Sequence, residues 1–170
     1  MKNNKMIEAY LSLGSNMGDK KKNLMKAFIR LSELGEVKGS HVYRTEPWGR
    51  EDIPEFLNAC VYIKTRLDIK NLFHALSSIE AEMGRERKEK WEKRIIDIDL
   101  LLSDQLIFRS PTLTIPHSYL QIRNFYLEPL SEIAKEEIEP ISGEKIKTLL
   151  ERCPDKKRVW KTGNILRLRA

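Results

Sequence analysis

The segment Ile95 to Leu102, IIDIDLLL, constrains the fold more than any other part of the chain. Ile and Leu fill it except at Asp97 and Asp99, which stand two apart in its middle. Side chains alternate across a strand, so both carboxylates leave from one face while Ile96, Ile98, Leu100 and Leu102 enter a core on the other. The chain must therefore supply a sheet with one covered face. The preceding elements do so. Ile7, Ala9, Leu11 and Leu13 alternate with polar residues as in a half-buried strand, and GSNMGD turns the chain. After the N-cap Asp19, Leu24, Phe28 and Leu31 recur at helical spacing until Gly35. Val37 to Thr45 reads as a strand, EPWGREDIP as a loop, and Phe56 to Thr65 as a third alternating strand. Asp68 caps a helix carrying Ile69, Leu72, Phe73, Leu76, Ile79 and Met83, which Gly84 ends.

The order strand, helix, strand, strand, helix, strand makes two βαβ halves. This is the α+β, ferredoxin-like βαββαβ core, an antiparallel sheet with two helices on one face. Beyond it, Leu106 to Phe108 and Leu113 to Ile115 are expected as short edge strands, and Tyr119 to Ala134 and Glu144 to Cys153 as helices. With 170 residues, one domain spanning 1 to 170 is expected.

A net charge of +6, from 31 basic against 25 acidic residues, invites a nucleic-acid partner. Its location argues otherwise. Lys156, Lys157, Arg158, Lys161, Arg167 and Arg169 form a basic tail (156 to 170) without an acid, which leaves 25 charges of each sign in residues 1 to 155. No apolar run is long enough for a membrane span, and no secretory pattern precedes the first strand. Cys60 and Cys153 lack metal-site spacing and read as packing, so a soluble, cytoplasmic protein is expected.

Asp97 and Asp99 would have Cβ atoms roughly 6 to 7 Å apart, and withdrawing both from water requires a cation or several donors. Mg²⁺ suits such a pair, because it takes one or two carboxylates together with phosphate oxygens and water. The competing reading is a solvated face of an edge strand. Immediately upstream, Arg85, Arg87, Lys88, Lys90, Lys93 and Arg94 outnumber Glu86, Glu89 and Glu92, and no aliphatic residue interrupts them. Cations beside paired carboxylates suit a polyphosphate, whereas such a run standing alone is a solvated surface. Trp91 in this loop serves equally as a plug on closure or as cover for a local apolar patch.

GSNMGD, YRTEPWG with PEFLNA downstream, GRERKEKW followed by RIIDIDLLL, and IPHSYLQIRNF occur in this order across residues 10 to 130. Together they resemble the 6-hydroxymethyl-7,8-dihydropterin pyrophosphokinases of folate biosynthesis. The resemblance implies transfer of a pyrophosphoryl unit from ATP to the pterin's hydroxymethyl oxygen with release of AMP. It further implies two Mg²⁺ ions, ATP and a reduced pterin as small-molecule partners, no nucleic-acid or membrane partner, and a monomer. Carried over by position, Asp97 and Asp99 would hold metal, and Arg85 and Arg94 would be catalytic. Glu80, Arg85, Arg87, Lys88, Arg94, Ile98, His117 and Arg123 would serve ATP. Thr45, Pro47, Trp48, Phe56, Asn58 and Phe125 would line the pterin pocket, the two phenylalanines flanking the flat ring. Loop closure would exclude water.

The chain departs from the family at Glu92 and Lys93, where Gly-Pro is common, at Glu46, where a small residue or proline is usual, and at Ser118, where an aromatic is frequent. The basic tail has no counterpart role. His41 and His74 read as structural. Two other classes fit parts of the pattern: a palm-like two-metal nucleotidyl transferase or cyclase, which would release pyrophosphate, and a ferredoxin-like RNA-binding module. Against the latter, Phe56 to Thr65 lacks the basic and aromatic stacking signature.

Overall fold

The computed structural model describes residues 5–47, 52–84 and 94–169. Trp48, Arg85, Arg87, Lys88 and the rest of the basic loop before Arg94, with Trp91, Glu92 and Lys93, lie outside the described residues.

Strand β1 (Ile7–Ser15) leads into α1 (Lys20–Ser32), whose first turn is capped by the Asp19 carboxylate accepting from the Lys22 N–H at 3.1 Å. Strands β2 (Gly35–Gly39), β3 (His41–Thr45) and β4 (Phe56–Thr65) follow. Helix α2 (Ile69–Glu82) is capped in the same way by Asp68, and β5 (Asp97–Ser103) completes the core. All pairings are antiparallel, in the order β5-β1-β4-β3, with β2 also on β4. The expected ferredoxin-like arrangement is therefore present.

Four details of the strands differ from the sequence reading. Val37 to Thr45 is two strands, because Ser40 turns its hydroxyl onto the Cys60 N–H (2.9 Å) between them. Tyr10 opposes Leu102 while Leu11 opposes Leu100, so Leu101 is an extra, bulged residue. The bulge reverses the alternation, and Leu102 joins the core on the face opposite Leu100. The two short strands, β6 (Phe108–Arg109) and β7 (Thr114–Ile115), pair with each other instead of edging the main sheet. Finally, the basic tail carries β8 (Val159–Ile165), which lies antiparallel against β3 and is the outermost strand.

One face of the sheet packs on α1 and α2. Leu24, Phe28 and Leu31 meet Leu72, Leu76 and Ile79 over Leu11, Leu13, Val61, Ile63 and Ile98. Each fully buried Leu or Ile contributes about 1.5–3 kcal/mol relative to exposure. The other face is covered at one end by α3 (Asn124–Ala134) and α4 (Ile146–Glu151), through Tyr126, Leu127, Leu130, Ile146 and Leu149. The segment Tyr119 to Ala134 is not one helix: a 3-10 turn (Leu120–Ile122) breaks at Arg123, whose backbone is extended, before α3 begins. Helix α3 thus starts partway across the sheet and leaves the rest of that face open.

Candidate active site

The open part of the sheet face is a cleft. Sheet register assembles its floor. Gly14 of β1 stands between Asp97 of β5 and Asn58 of β4, and Ser12 stands between Asp99 and Cys60. Both carboxylates therefore point into the cleft, together with Thr45, Glu46, Ile53, Phe56, Asn58, Arg94, Arg123, Phe125 and Tyr126. Of the expected pterin-side residues, Thr45, Phe56, Asn58 and Phe125 meet there. Pro47 is buried next in sequence to the rim residue Glu46.

Asn58 is 4% exposed and donates from Nδ2 to Thr45 Oγ1 at 2.6 Å. Its carbonyl Oδ1 lies over Gly14, where a Cβ would approach it to 2.7 Å. Only glycine at 14 leaves the amide in place.

The two carboxylates sit in different surroundings. Arg94 donates from Nη1 to Asp97 Oδ2 at 2.8 Å. Tyr126 donates its hydroxyl proton to Asp99 Oδ2 at 2.6 Å and accepts from Arg123 Nη1 at 3.0 Å. Burial, then the Asp99 charge, holds the Tyr126 hydroxyl well above its ordinary pKa, so it stays a donor. Arg123 is buried among rings, 4.3 Å over Tyr119, 5.4 Å from Tyr126 and 5.6 Å from Phe125. The sequence reading missed Tyr126, whose signal was its i+3 spacing from Arg123 across a helix start.

It also missed Asn16. The Asn16 N–H donates to the Arg94 carbonyl at 3.1 Å, its Oδ1 accepts from the Arg94 N–H at 2.6 Å, and Nδ2 reaches Pro54 O at 3.4 Å. Arg94 is thereby fixed to the end of β1.

Three expected ATP-side residues stand apart from the cleft. Glu80 of α2, 5% exposed, accepts from the Ile98 N–H at 2.8 Å, and the Ile98 side chain lies in the α1/α2 core. Neither lines the cleft. His117 borders a second hollow with Arg109, Thr114, Ser118 and Gln121, its ring edge-on to Tyr126 at 5.0 Å. Burial and the Arg123 charge push the imidazole down to about 4, with Asp97 opposing, so it is neutral near pH 7. Its Nδ1 accepts from the Tyr119 N–H at 3.1 Å, which leaves the proton on Nε2.

Among the described residues no three His, Cys, Asp or Glu side chains gather as a metal cage. Two carboxylates in a cleft lined with arginines instead fit a hard cation shared with a ligand's phosphate oxygens and water. Fold and site thus define a ferredoxin-like α+β domain whose cleft gathers two carboxylates, two arginines and aromatic rings. A family model described as 7,8-dihydro-6-hydroxymethylpterin-pyrophosphokinase matches residues 10–135. Proteins named 2-amino-4-hydroxy-6-hydroxymethyldihydropteridine pyrophosphokinase are similar over most of their length. The Aquifex aeolicus protein is 39% identical over 143 residues (84% of this chain, 89% of that one). The Methylorubrum extorquens protein is 41% identical over 148 residues (85% and 92%). A solved Plasmodium falciparum HPPK-DHPS structure superposes with a TM-score of 0.72 at 17% identity, which supports the fold alone; it covers 89% of this chain, and the chain spans 45% of that one. The chain belongs to this family of pyrophosphokinases.

Proposed function

We propose that this chain transfers the β,γ-pyrophosphoryl unit of ATP to the hydroxymethyl oxygen of 6-hydroxymethyl-7,8-dihydropterin, a step of folate biosynthesis. The observation that carries the reading is the register that puts Asp97 and Asp99 across Gly14 from Asn58, so that one cleft holds a phosphate end and a ring end. The names of the bacterial relatives and of the Schizosaccharomyces pombe folic acid synthesis protein, of which the chain covers 20%, point the same way.

In this reading the ring enters between Phe56 and Phe125, and Asn58 offers its carbonyl to a ring N–H. The alcohol oxygen forms a bond to the β-phosphorus, the bond from that phosphorus to the α-phosphate oxygen breaks, AMP leaves, and the alcohol proton passes to solvent. Asp97 and Asp99 would hold two Mg²⁺ ions with the phosphate oxygens, supplying neutralisation of charge at the transferring and leaving groups. Arg94 donates to Asp97 and would offer its remaining N–H donors to the phosphates. Arg123 keeps Tyr126 oriented toward Asp99. Glu80 and His117 act from behind the cleft, Glu80 by holding the backbone between the two aspartates and His117 by bracing the Tyr126 ring. No side chain in the cleft is needed as general base, since positioning and charge stabilisation dominate phosphoryl transfer. Arg85, Arg87, Lys88 and Trp48 complete the site by resemblance. We assign a single-domain monomer of the cytoplasm, consistent with two buried free thiols, Cys60 and Cys153.

The test is product analysis. Protein, ATP, Mg²⁺ and 6-hydroxymethyl-7,8-dihydropterin should yield AMP and pterin diphosphate in equal amounts. Release of inorganic pyrophosphate or ADP instead would overturn the assignment.

A further inference from the structure

Two features have no role in the reading above, Glu46 and the basic tail, and the structure brings them into contact. Glu46 lies on the rim of the cleft beside Thr45. Its N–H donates to the Arg158 carbonyl at 3.1 Å, and one carboxylate oxygen, Oε2, accepts from the Arg158 N–H at 3.0 Å. These reciprocal bonds extend the β3–β8 ladder past the Thr45–Val159 pair by one residue. Three residues earlier, the same segment grips the opposite wall. The Asp155 carboxylate accepts from the Asn124 N–H at 3.1 Å and from the Lys157 N–H at 2.9 Å, while the Asn124 side-chain amide donates to the Lys157 carbonyl. Asn124 is the first residue of α3, between Arg123 and Phe125, which both line the cleft.

The stretch from Asp155 into the start of the tail is thus bonded to both walls of the cleft. We propose that Asp155 to Val159 is a clasp that sets the separation of the two walls, with Glu46 and Asn124 as positioning residues. The Thr45–Glu46 rim lies at the end of β3, where its pairing with β4 stops at Thr45 and Phe56, and the other wall is a helix start without a side-chain cap of its own. Either would drift without a cross-tie, and a flat ring held between Phe56 and Phe125 needs their spacing fixed. A glutamate suits position 46 because its carboxylate reaches back to the Arg158 N–H, a bond that a small residue or proline there could not make. Lys156, Arg158 and Lys161 are exposed along this segment, which is held to the cleft mainly through its backbone.

This inference rests on the assignment of the cleft to the pterin, so the experiment tests both separately. Binding of 6-hydroxymethyl-7,8-dihydropterin to the full chain with a non-hydrolysable ATP analogue and Mg²⁺ is measured by calorimetry, alongside analogue affinity and thermal melting. Asn124→Ala and Glu46→Ala should each weaken pterin binding about five- to tenfold, the scale of one lost hydrogen bond. Their combination should weaken it by less than the product of the two, because either releases the same strap. Glu46→Gln, which keeps an acceptor for the Arg158 N–H, should stay within about twofold of wild type, and analogue affinity should hold throughout. Unchanged pterin affinity in Asn124→Ala overturns the clasp, as does a Glu46→Gln loss equal to that of Glu46→Ala, which would show that the Glu46 charge, 3.9 Å from the Arg158 guanidinium, acts in place of the bond to the Arg158 N–H. If the wild type binds the analogue and no pterin, the assignment of the cleft falls and the clasp with it. Should Asn124→Ala not fold, amide exchange on the wild type decides: pterin should slow exchange at Glu46 and Arg158 together, and unaltered rates overturn the proposal.

Discussion

Gly14→Ala tests the packing of the cleft floor. The backbone at Gly14 is ordinary extended strand, not among the positive-φ glycines, so alanine meets no conformational strain. The obstacle is one atom, since the new methyl would lie 2.7 Å from Asn58 Oδ1. Asn58 must swing, which breaks its 2.6 Å bond to Thr45 and strands a buried amide. That costs about 1–3 kcal/mol. At about 2–4 °C per kcal/mol for a domain of this size, Tm should drop by roughly 2–12 °C. Pterin affinity should fall with it, because the amide no longer faces the ring site, while binding of an ATP analogue holds. Scanning calorimetry on wild type, Gly14→Ala, Asn58→Ala and the double variant closes a thermodynamic cycle. In the Asn58→Ala background the clashing atom is gone, so the penalty of Gly14→Ala should shrink to within about 0.5 kcal/mol of zero, the range of a substitution that touches no special feature. An equal penalty in both backgrounds would refute the reasoning.

Asp97→Asn and Asp99→Asn should each reduce pterin-dependent AMP release by at least about 100-fold, the scale of losing one preorganised charge-stabilising group, with the circular dichroism spectrum retained. Near-normal turnover would remove both aspartates from the metal-holding role. Tyr126→Phe deletes a donor to an ionised carboxylate, worth about 1.5–3 kcal/mol, so calorimetry should show Mg²⁺-dependent affinity for an ATP analogue falling by roughly ten- to a hundredfold. For His117, whose imidazole is pushed down to about 4 in the fold, the unfolded chain takes up a proton between pH 6.5 and 4 that the folded chain refuses. Stability should therefore fall on acidification through that window by up to about 3 kcal/mol, at about 1.4 kcal/mol per pH unit. Urea titrations at pH 7 and 4.5 should show a smaller drop for His117→Gln than for wild type.

The parts of the fold legible in the sequence were those whose periodicity is a local property. The β1 and β4 alternation, the caps at Asp19 and Asp68, and the shared face of Asp97 and Asp99 all follow from near neighbours in the chain. What was illegible depends on partners distant in sequence. The bulge at Leu101 exists only against Tyr10 and Leu11, and nothing inside IIDIDLLL announces it. The tail read as charge because Lys and Arg dominate it, yet Thr162 accounts for its placement, donating to Val42 O at 2.7 Å in support of the ladder with β3. At the site, carboxylates and arginines were visible by type and the aromatic pair by resemblance. Tyr126 and Asn16 were not, because each acts through a residue already named, and a hydrogen bond of that kind has no sequence period.

The geometry also shows how one strand serves stability and chemistry together. Ile98 lies between the two aspartates with its side chain in the α1/α2 core, and its N–H is held by the buried Glu80 carboxylate. Moving the backbone at 98 would disturb that core contact and that bond, so the spacing of the carboxylates is inherited from the packed side of the sheet. A carboxylate placed on a loop would need its own restraints to the same precision. Gly14 completes the arrangement from the adjacent strand, since the absence of a side chain there leaves room for the buried amide of Asn58 on one side and the carboxylate of Asp97 on the other. The separation of Asn58 from Asp97 is then set by strand spacing, about 4.8 Å per step.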